Sequence, residues 1–500
     1  MLKKIRIGLA LVCFSLLTLL FLDFTGTLHA WLGWLAKIQF MPALLAINIG
    51  AVIFLMVITL AFGRIYCSVI CPLGVFQDIV SWIAGKRKKN RFSYSKAIPW
   101  LRYGFFLLFI VAFIAGISSF VALLDPYGAY GRIASNMVAP FYRWGNNALA
   151  YFAGKANSYA FYHVDVWLKS LTTFSIAVLT FVVITTLAWR NGRAYCNLVC
   201  PVGTVLGFLS RFSFFKPIFD TEKCNGCNLC ARNCKASCID QKNHTIDYSR
   251  CVTCMDCIEK CKQDAIRYRP FYKKKSFQTA LKTGTPSSGE KNNSRRNFLS
   301  LATLMAVSGT LRAQKKIVEG GLAVIEKKRI PTRATPVTPP GSISAKNFTT
   351  HCTACGLCIS ACPNQVLRPS GNLLTLMQPE MSYERGYCRP ECTTCSEVCP
   401  TGAISAITKA EKSATQIGYA VWVRNNCVVI TDGVNCGNCA RHCPSGAIDM
   451  VASAPDNPRS RKIPAVNTER CIGCGTCEYL CPSRPFSAIY VEGIERHRTV

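Results

Sequence analysis

Apolar residues gather into long runs in the first part of the chain and thin out towards its end. Four runs, residues 7–22, 41–62, 101–124 and 171–189, approach or exceed the length that crosses a hydrocarbon core. That core is about 30 Å thick and takes about 20 helical residues. One such run would suit a buried core helix; four predict a helical membrane bundle. The first is short, and Lys3, Lys4 and Arg6 ahead of it resemble the start of a signal peptide. No small-residue cleavage site follows, so it reads as an anchor.

Charge sets the orientation. The chain carries 58 Lys and Arg against 26 Asp and Glu, a formal net charge of +32. Such a balance invites a nucleic-acid partner, but half the residues are hydrophobic and the basic clusters flank the apolar runs. Lys3, Lys4 and Arg6, then Lys86, Arg87, Lys88, Lys89 and Arg91, then Arg190, Arg193 and Arg211 all fall on one side. The first loop on the other side carries only Lys37, and the second, 125–170, is mixed. The positive-inside rule therefore puts the N-terminus and the segment after the fourth run in the cytoplasm. The expected partners are membrane lipid and no nucleic acid.

Beyond the fourth run the composition changes several times. Residues 1–215 form the expected four-helix domain and 216–270 a compact cysteine-rich domain. Residues 271–293 are polar and basic, with Ser, Thr and Gly, as in a linker. Ser294-Arg295-Arg296-Asn297-Phe298-Leu299 then precedes an uncharged stretch. Twin arginines before a short apolar run are a translocation signal, so 294–314 reads as a fifth, short anchor leading the rest across the membrane. Residues 315–346, with Pro331, Pro336, Pro339 and Pro340, read as a tether, and 347–500 as a second cysteine domain.

The cysteines carry the chemistry. The chain has 30, and six tight quartets account for 24 of them. Disulfide scaffolds are short and have no reason for such spacing. The first two quartets are Cys224, Cys227, Cys230, Cys234 and Cys251, Cys254, Cys257, Cys261, each with two residues between the first three and three before the fourth. This is bacterial ferredoxin spacing, in which the fourth cysteine ligates the neighbouring cluster. One 4Fe–4S cluster is expected on Cys224, Cys227, Cys230 and Cys261, the other on Cys251, Cys254, Cys257 and Cys234. Structural zinc, which needs four ligands per ion, does not explain a three-plus-one pattern. Lys235 and Lys262 stand where proline is usual, and Cys238 is a surplus thiol that could replace Cys234.

Sixteen more cysteines make four quartets, each ending in Cys-Pro. Cys352, Cys355, Cys358, Cys362 and Cys471, Cys474, Cys477, Cys481 keep the regular spacing. Cys388, Cys392, Cys395, Cys399 and Cys427, Cys436, Cys439, Cys443 have a longer first gap. A small-residue step follows several fourth cysteines: Gly402-Ala403-Ile404, Gly446-Ala447-Ile448, Ser487-Ala488-Ile489 and Asp264-Ala265-Ile266. Such repetition predicts stacked α+β ferredoxin-like units. The cofactor expectation is six 4Fe–4S clusters.

With these motifs in place, residues 1–270 resemble the NapH-type membrane ferredoxins and residues 294–500 the NapG/MauM-type four-cluster ferredoxins. The resemblance implies a protein that oxidises quinol from the membrane pool and passes electrons to a periplasmic reductase or cytochrome. It also implies that the first C-terminal quartet interlocks with the fourth and the second with the third. Residues 216–293 would then be cytoplasmic and 347–500 periplasmic.

Two features remain open. Gly63-Arg64-Ile65-Tyr66-Cys67-Ser68-Val69-Ile70-Cys71-Pro72-Leu73-Gly74 and Gly192-Arg193-Ala194-Tyr195-Cys196-Asn197-Leu198-Val199-Cys200-Pro201-Val202-Gly203 are one motif written twice. A two-fold arrangement would bring Cys67, Cys71, Cys196 and Cys200 together to hold a metal centre, a transient copper ion or a redox disulfide pair. Alternatively, Cys-Pro only ends each helix. Quinol oxidation also needs proton acceptors, and His29, Asp125 and His163 in the outward loops are candidates, a neutral imidazole being suited near pH 7. The rival expectations are a copper-reducing assembly factor and a non-catalytic maturation partner of a reductase.

Overall fold

The computed structural model describes residues 2–87, 92–271, 318–319, 323–324, 326–454, 457 and 459–500. Residues 1–271 and 329–500 form one compact unit and 272–328 a second, in which Val318–Glu319 pairs with Ala323–Val324. The twin-arginine segment and its apolar run lie outside the described residues.

The apolar runs fold as helices, but not as four equal spans. Leu2–Leu22 and Leu171–Asn191 are long and apolar enough to cross a membrane. The second expected run is broken into Phe40–Leu45 and Ile49–Phe62. Ile47 takes a left-handed conformation there, and the Asn48 side chain caps the new helix by accepting from the Ala51 N–H. The third is broken at Gly116, also left-handed, into Pro99–Ile114 and Ser118–Leu124. Hydropathy reads apolar length and is blind to a single capping asparagine, so the four continuous spans of the sequence reading are corrected here to two long helices and two interrupted ones. Their outer faces are apolar and exposed, as at Val12, Phe54, Leu107 and Leu179. An exposed apolar surface of this extent marks a membrane or protein contact.

At the N-terminal end of the Leu2–Leu22 helix sits the two-quartet domain. Its strands Phe215–Phe219 and Ile266–Pro270 pair antiparallel and carry two cysteine loops between them. Lys3 pairs with Asp256 at 2.9 Å and with Glu259. The Phe62 carbonyl, at the end of its helix, accepts from Tyr268 Oη at 2.9 Å.

The four-quartet domain packs near the other end of the same helix. Asp125 caps a buried helix, Pro126–Ile133, whose glycines let a cysteine loop settle on its backbone. A Cβ at Gly128 would lie 2.6 Å from the Thr353 carbonyl oxygen, and one at Gly131 would lie 2.4 Å from that of Cys355. The loop read as mixed in charge is the rest of this platform. Lys169 Nζ donates to the Ile359 carbonyl at 2.6 Å, and Arg368 and Arg385 stack on Trp167 at 4.3 and 4.2 Å.

The expected tether is partly built into this domain as extended chain. Arg333 pairs with Glu478 at 2.7 Å, the Gly493 N–H donates to the Thr335 carbonyl, and Val337 is fully buried. Proline richness signalled an extended chain correctly but said nothing of what it lies against.

Candidate metal centres

The ferredoxin loops gather their thiols as the spacing requires. Cys224, Cys227, Cys230 and Cys261 line one cavity, and Cys234, Cys238, Cys251, Cys254 and Cys257 another. Cys254 and Cys257 lie within electrostatic range of Cys234, while Cys238 sits beside Cys234, their sulfurs 3.6 Å apart. Cys238 is thus a fifth, buried thiol at this centre. Lys235 reaches Asp256 at 3.1 Å and Asp78 at 3.5 Å, which explains why no proline follows Cys234. Lys262 is exposed, and nothing in the structure accounts for it.

The repeated small-residue step has a direct chemical purpose. The Ala265 N–H donates to Cys261 Sγ at 3.2 Å, Ala447 to Cys443 at 3.3 Å, Ala488 to Cys481 at 3.3 Å and Ile404 to Cys399 at 3.5 Å. Backbone N–H groups aimed at sulfur stabilise thiolate and tune the potential of a bound cluster. These residues therefore fit 4Fe–4S clusters, which would supply one-electron transfer.

The pairing of the C-terminal quartets differs from the expectation drawn by resemblance. Cys399 lies within electrostatic range of Cys352, Cys355 and Cys358, while Cys362 lines a cavity with Cys388, Cys392 and Cys395. Cys443 likewise faces Cys471, Cys474 and Cys477, and Cys481 faces Cys436 and Cys439, with Cys427 in the same buried group. First interlocks with second and third with fourth.

The twice-written motif forms a two-fold knot inside the bundle. Cys67, Cys71, Cys196 and Cys200 are buried in one cluster, and none of them is in a disulfide. Arg64 and Arg193 are fully buried and cross over. Arg64 Nη2 lies 3.2 Å from the Cys196 carbonyl oxygen and 3.8 Å from Cys67 Sγ. Arg193 Nη1 lies 2.8 Å from the Cys67 carbonyl oxygen and 3.9 Å from Cys196 Sγ. The glycine ending each motif makes room for this crossing. A Cβ at Gly74 would stand 2.2 Å from the Cys67 carbonyl oxygen, and one at Gly203 would stand 2.1 Å from that of Cys196. Sequence reasoning singled out the cysteines and passed over the arginines, although both copies spell them.

Asp78, also passed over, ties this knot to the two-quartet domain. It pairs with Arg193 at 2.8 Å, Arg6 at 2.9 Å and Lys235 at 3.5 Å. Burial alone would raise its carboxyl, but the charges of Arg193, Lys235 and Arg6 hold it well below the usual carboxylate range. Beside it opens a groove with Ile7, Leu11, Ile79 and Trp82 on its apolar wall and Lys86 and Lys260 among its cations.

The three expected proton acceptors are not brought into one group: among the described residues no hydrogen bond or ion pair joins any two of them. His29 Nδ1 is 3.1 Å from Asp23 Oδ2, and His163 is exposed. Asp125 is not a solvated loop residue. It is fully buried, and burial pushes its carboxyl up to about 6 against the N–H groups of Gly128 and Tyr127 that bond to it.

Comparison with known proteins agrees with these centres. A family described as "4Fe-4S binding domain" matches residues 44–90 and 171–220, the two copies of the bundle motif. A family described as "4Fe-4S dicluster domain" matches 351–403 and 434–484, the two interlocked pairs. The methylamine utilization ferredoxin-type protein MauM of Methylobacillus flagellatus is 32% identical over 165 residues, 32% of this chain and 70% of that protein. MauM of Methylophilus methylotrophus is 34% identical over 34% of this chain and 76% of its own length. The ferredoxin-type protein NapG of Haemophilus influenzae is 28% identical over 38% of this chain and 68% of its own. No solved structure matches. With its paired cysteine loops, N–H-bonded sulfurs and these relatives, the chain belongs, through its C-terminal domain, to the MauM and NapG ferredoxin-type family of iron–sulfur electron-transfer proteins.

Proposed function

We propose that the chain is a membrane quinol dehydrogenase component in which a NapH-type membrane ferredoxin is fused to a NapG/MauM-type periplasmic one. The observation that carries this reading is the placement of the two cysteine domains near opposite ends of the apolar Leu2–Leu22 helix, with the thiol knot between them. The exposed apolar faces of the bundle support a place in the lipid. Residues 216–271 then face the cytoplasm and the four-quartet domain the periplasm, where a reductase or cytochrome accepts electrons.

The groove beside Asp78 is the quinol site in this reading. Its apolar wall suits the isoprenoid tail of a quinol, while Asp78, held ionised by three cations, fixes the charge at the mouth of the groove and is too weak a base to take the ring proton. His29, Asp125 and His163 keep at most a supporting part. The six quartets would hold six 4Fe–4S clusters, whose one-electron chemistry divides the two electrons of quinol.

Liposomes containing the purified chain and a reduced quinol analogue should reduce an added cytochrome at a rate that depends on quinol. A copper-handling protein would show copper bound at Cys67, Cys71, Cys196 and Cys200, with quinol oxidation unchanged in their absence. A maturation partner would lower reductase activity even with an artificial donor. Either result would displace the proposal.

A further inference from the structure

Cys67, Cys71, Cys196 and Cys200 form a four-fold thiol site that neither ferredoxin domain uses. Every pair among them lies within electrostatic range. Yet among the described residues no three His, Cys, Asp or Glu are placed to hold a single metal ion. The ferredoxin quartets share this property, because a cluster holds its ligands farther apart than one copper or zinc ion does.

Charge adds an independent argument. Arg64 is fully buried, and its bonds go to Asn197 Oδ1 at 2.8 Å, the Ser249 and Cys196 carbonyls and Cys67 Sγ. No carboxylate pairs with it among the described residues, whereas Arg193 has Asp78. Arg102, also buried, bonds to Ser249 and the Gly203 and Thr204 carbonyls and has Asp247 within electrostatic range, so Arg64 is the one of the two left without a carboxylate among the described residues. Buried guanidinium groups without counter-charge are costly. Neutral thiols and a disulfide supply none. Four thiolates around an iron–sulfur core leave a net negative charge, held where Arg64 and Arg193 point at sulfur.

We propose that Cys67, Cys71, Cys196 and Cys200 together hold one further iron–sulfur cluster, shared between the two copies of the motif, with Arg64 and Arg193 as its counter-charges. The family match supports the assignment, since the segments 44–90 and 171–220 contain no cysteines except these four.

The surroundings give the site a purpose. On one side Arg64 is within electrostatic range of Cys251 of the two-quartet domain. On the other, Tyr195 Oη donates to the Leu124 carbonyl at 3.2 Å, next to Asp125 at the start of the Pro126–Ile133 helix. Tyr127 on that helix lies within electrostatic range of Cys355 and Cys399. The four thiols therefore stand between the two ferredoxin domains and divide a crossing of about 30 Å into shorter steps. Bound there, a cluster would gain one electron from one domain and lose one to the other, with no bond made or broken. This purpose rests on the electron-transfer reading; the existence of the site does not.

The test compares the full chain with its C71S/C200S variant, both purified anaerobically, by iron, acid-labile sulfide and low-temperature EPR after reduction. The variant should lose about four iron atoms per chain, or about two if the cluster is a two-iron rhomb, with equal sulfide and one signal missing. Because the readout is a difference and involves no quinol, it is independent of the proposed substrate. Equal iron in both proteins would overturn the proposal. A variant that does not fold leaves a second measurement on the unaltered chain. Alkylation in denaturant followed by mass spectrometry should find all four cysteines as free thiols once iron is removed. A disulfide within the quartet would overturn the proposal.

Discussion

At the residue scale, charge inside the protein decides more than cysteine spacing alone conveys. Asp78 neutralises three cations and joins the bundle to the two-quartet domain. Removing one partner of a buried ion pair costs about 3–5 kcal/mol, so D78N should lower the thermal midpoint of the detergent-solubilised protein by that equivalent. An unchanged midpoint would show the network to be dispensable. Asp125 behaves oppositely. Its folded carboxyl titrates near 6 against an ordinary 3.8, so the native state holds the proton more tightly than the unfolded one. Stability from this group is complete below about pH 3.8 and falls as the pH rises towards 6. D125N keeps a cap for the Pro126–Ile133 helix and removes the titration. Its melting advantage over the parent should grow between pH 4 and 6 and level off above. A constant difference across that range would contradict the assignment. The sequence named Asp125 but not its burial, and the cysteines announce themselves by spacing, whereas Arg64, Arg193 and Asp78 acquire meaning only when two distant segments cross.

At the scale of elements, the sequence was a good guide to what each loop holds and a weaker guide to how pieces join. Three-plus-one spacing led directly to Cys261 with Cys224, Cys227 and Cys230, and the structure places them around one cavity. It could not choose the partner of each C-terminal quartet, because the same spacing serves any pairing. The helices show a similar limit. Hydropathy found the apolar runs, but Asn48 and Gly116 break two of them through a cap and a left-handed turn. The pairing is testable with single ligand changes. C399S should alter the EPR signal of the cluster that C352S also perturbs, and C362S that of the cluster perturbed by C395S. The crossed result, with C352S matched by C481S, would restore the pairing implied by resemblance.

At the scale of the whole molecule, one apolar helix of 21 residues separates contacts to two ferredoxin domains. The residues that join those domains include the twin-arginine segment, and the proposed topology requires a fifth crossing there. Alkaline phosphatase or fluorescent reporters fused after Leu281 and after Gly341 should report opposite compartments; matching compartments would leave no membrane between the domains. The central claim is that electrons travel through this chain from one side of a lipid bilayer to the other. The most direct test seals the purified, cluster-loaded protein into liposomes with dithionite trapped inside and an impermeant oxidised cytochrome outside. The account predicts cytochrome reduction that requires the protein and is lost in protein-free vesicles of equal tightness. Cytochrome that stays oxidised, while EPR shows the clusters intact, would contradict it.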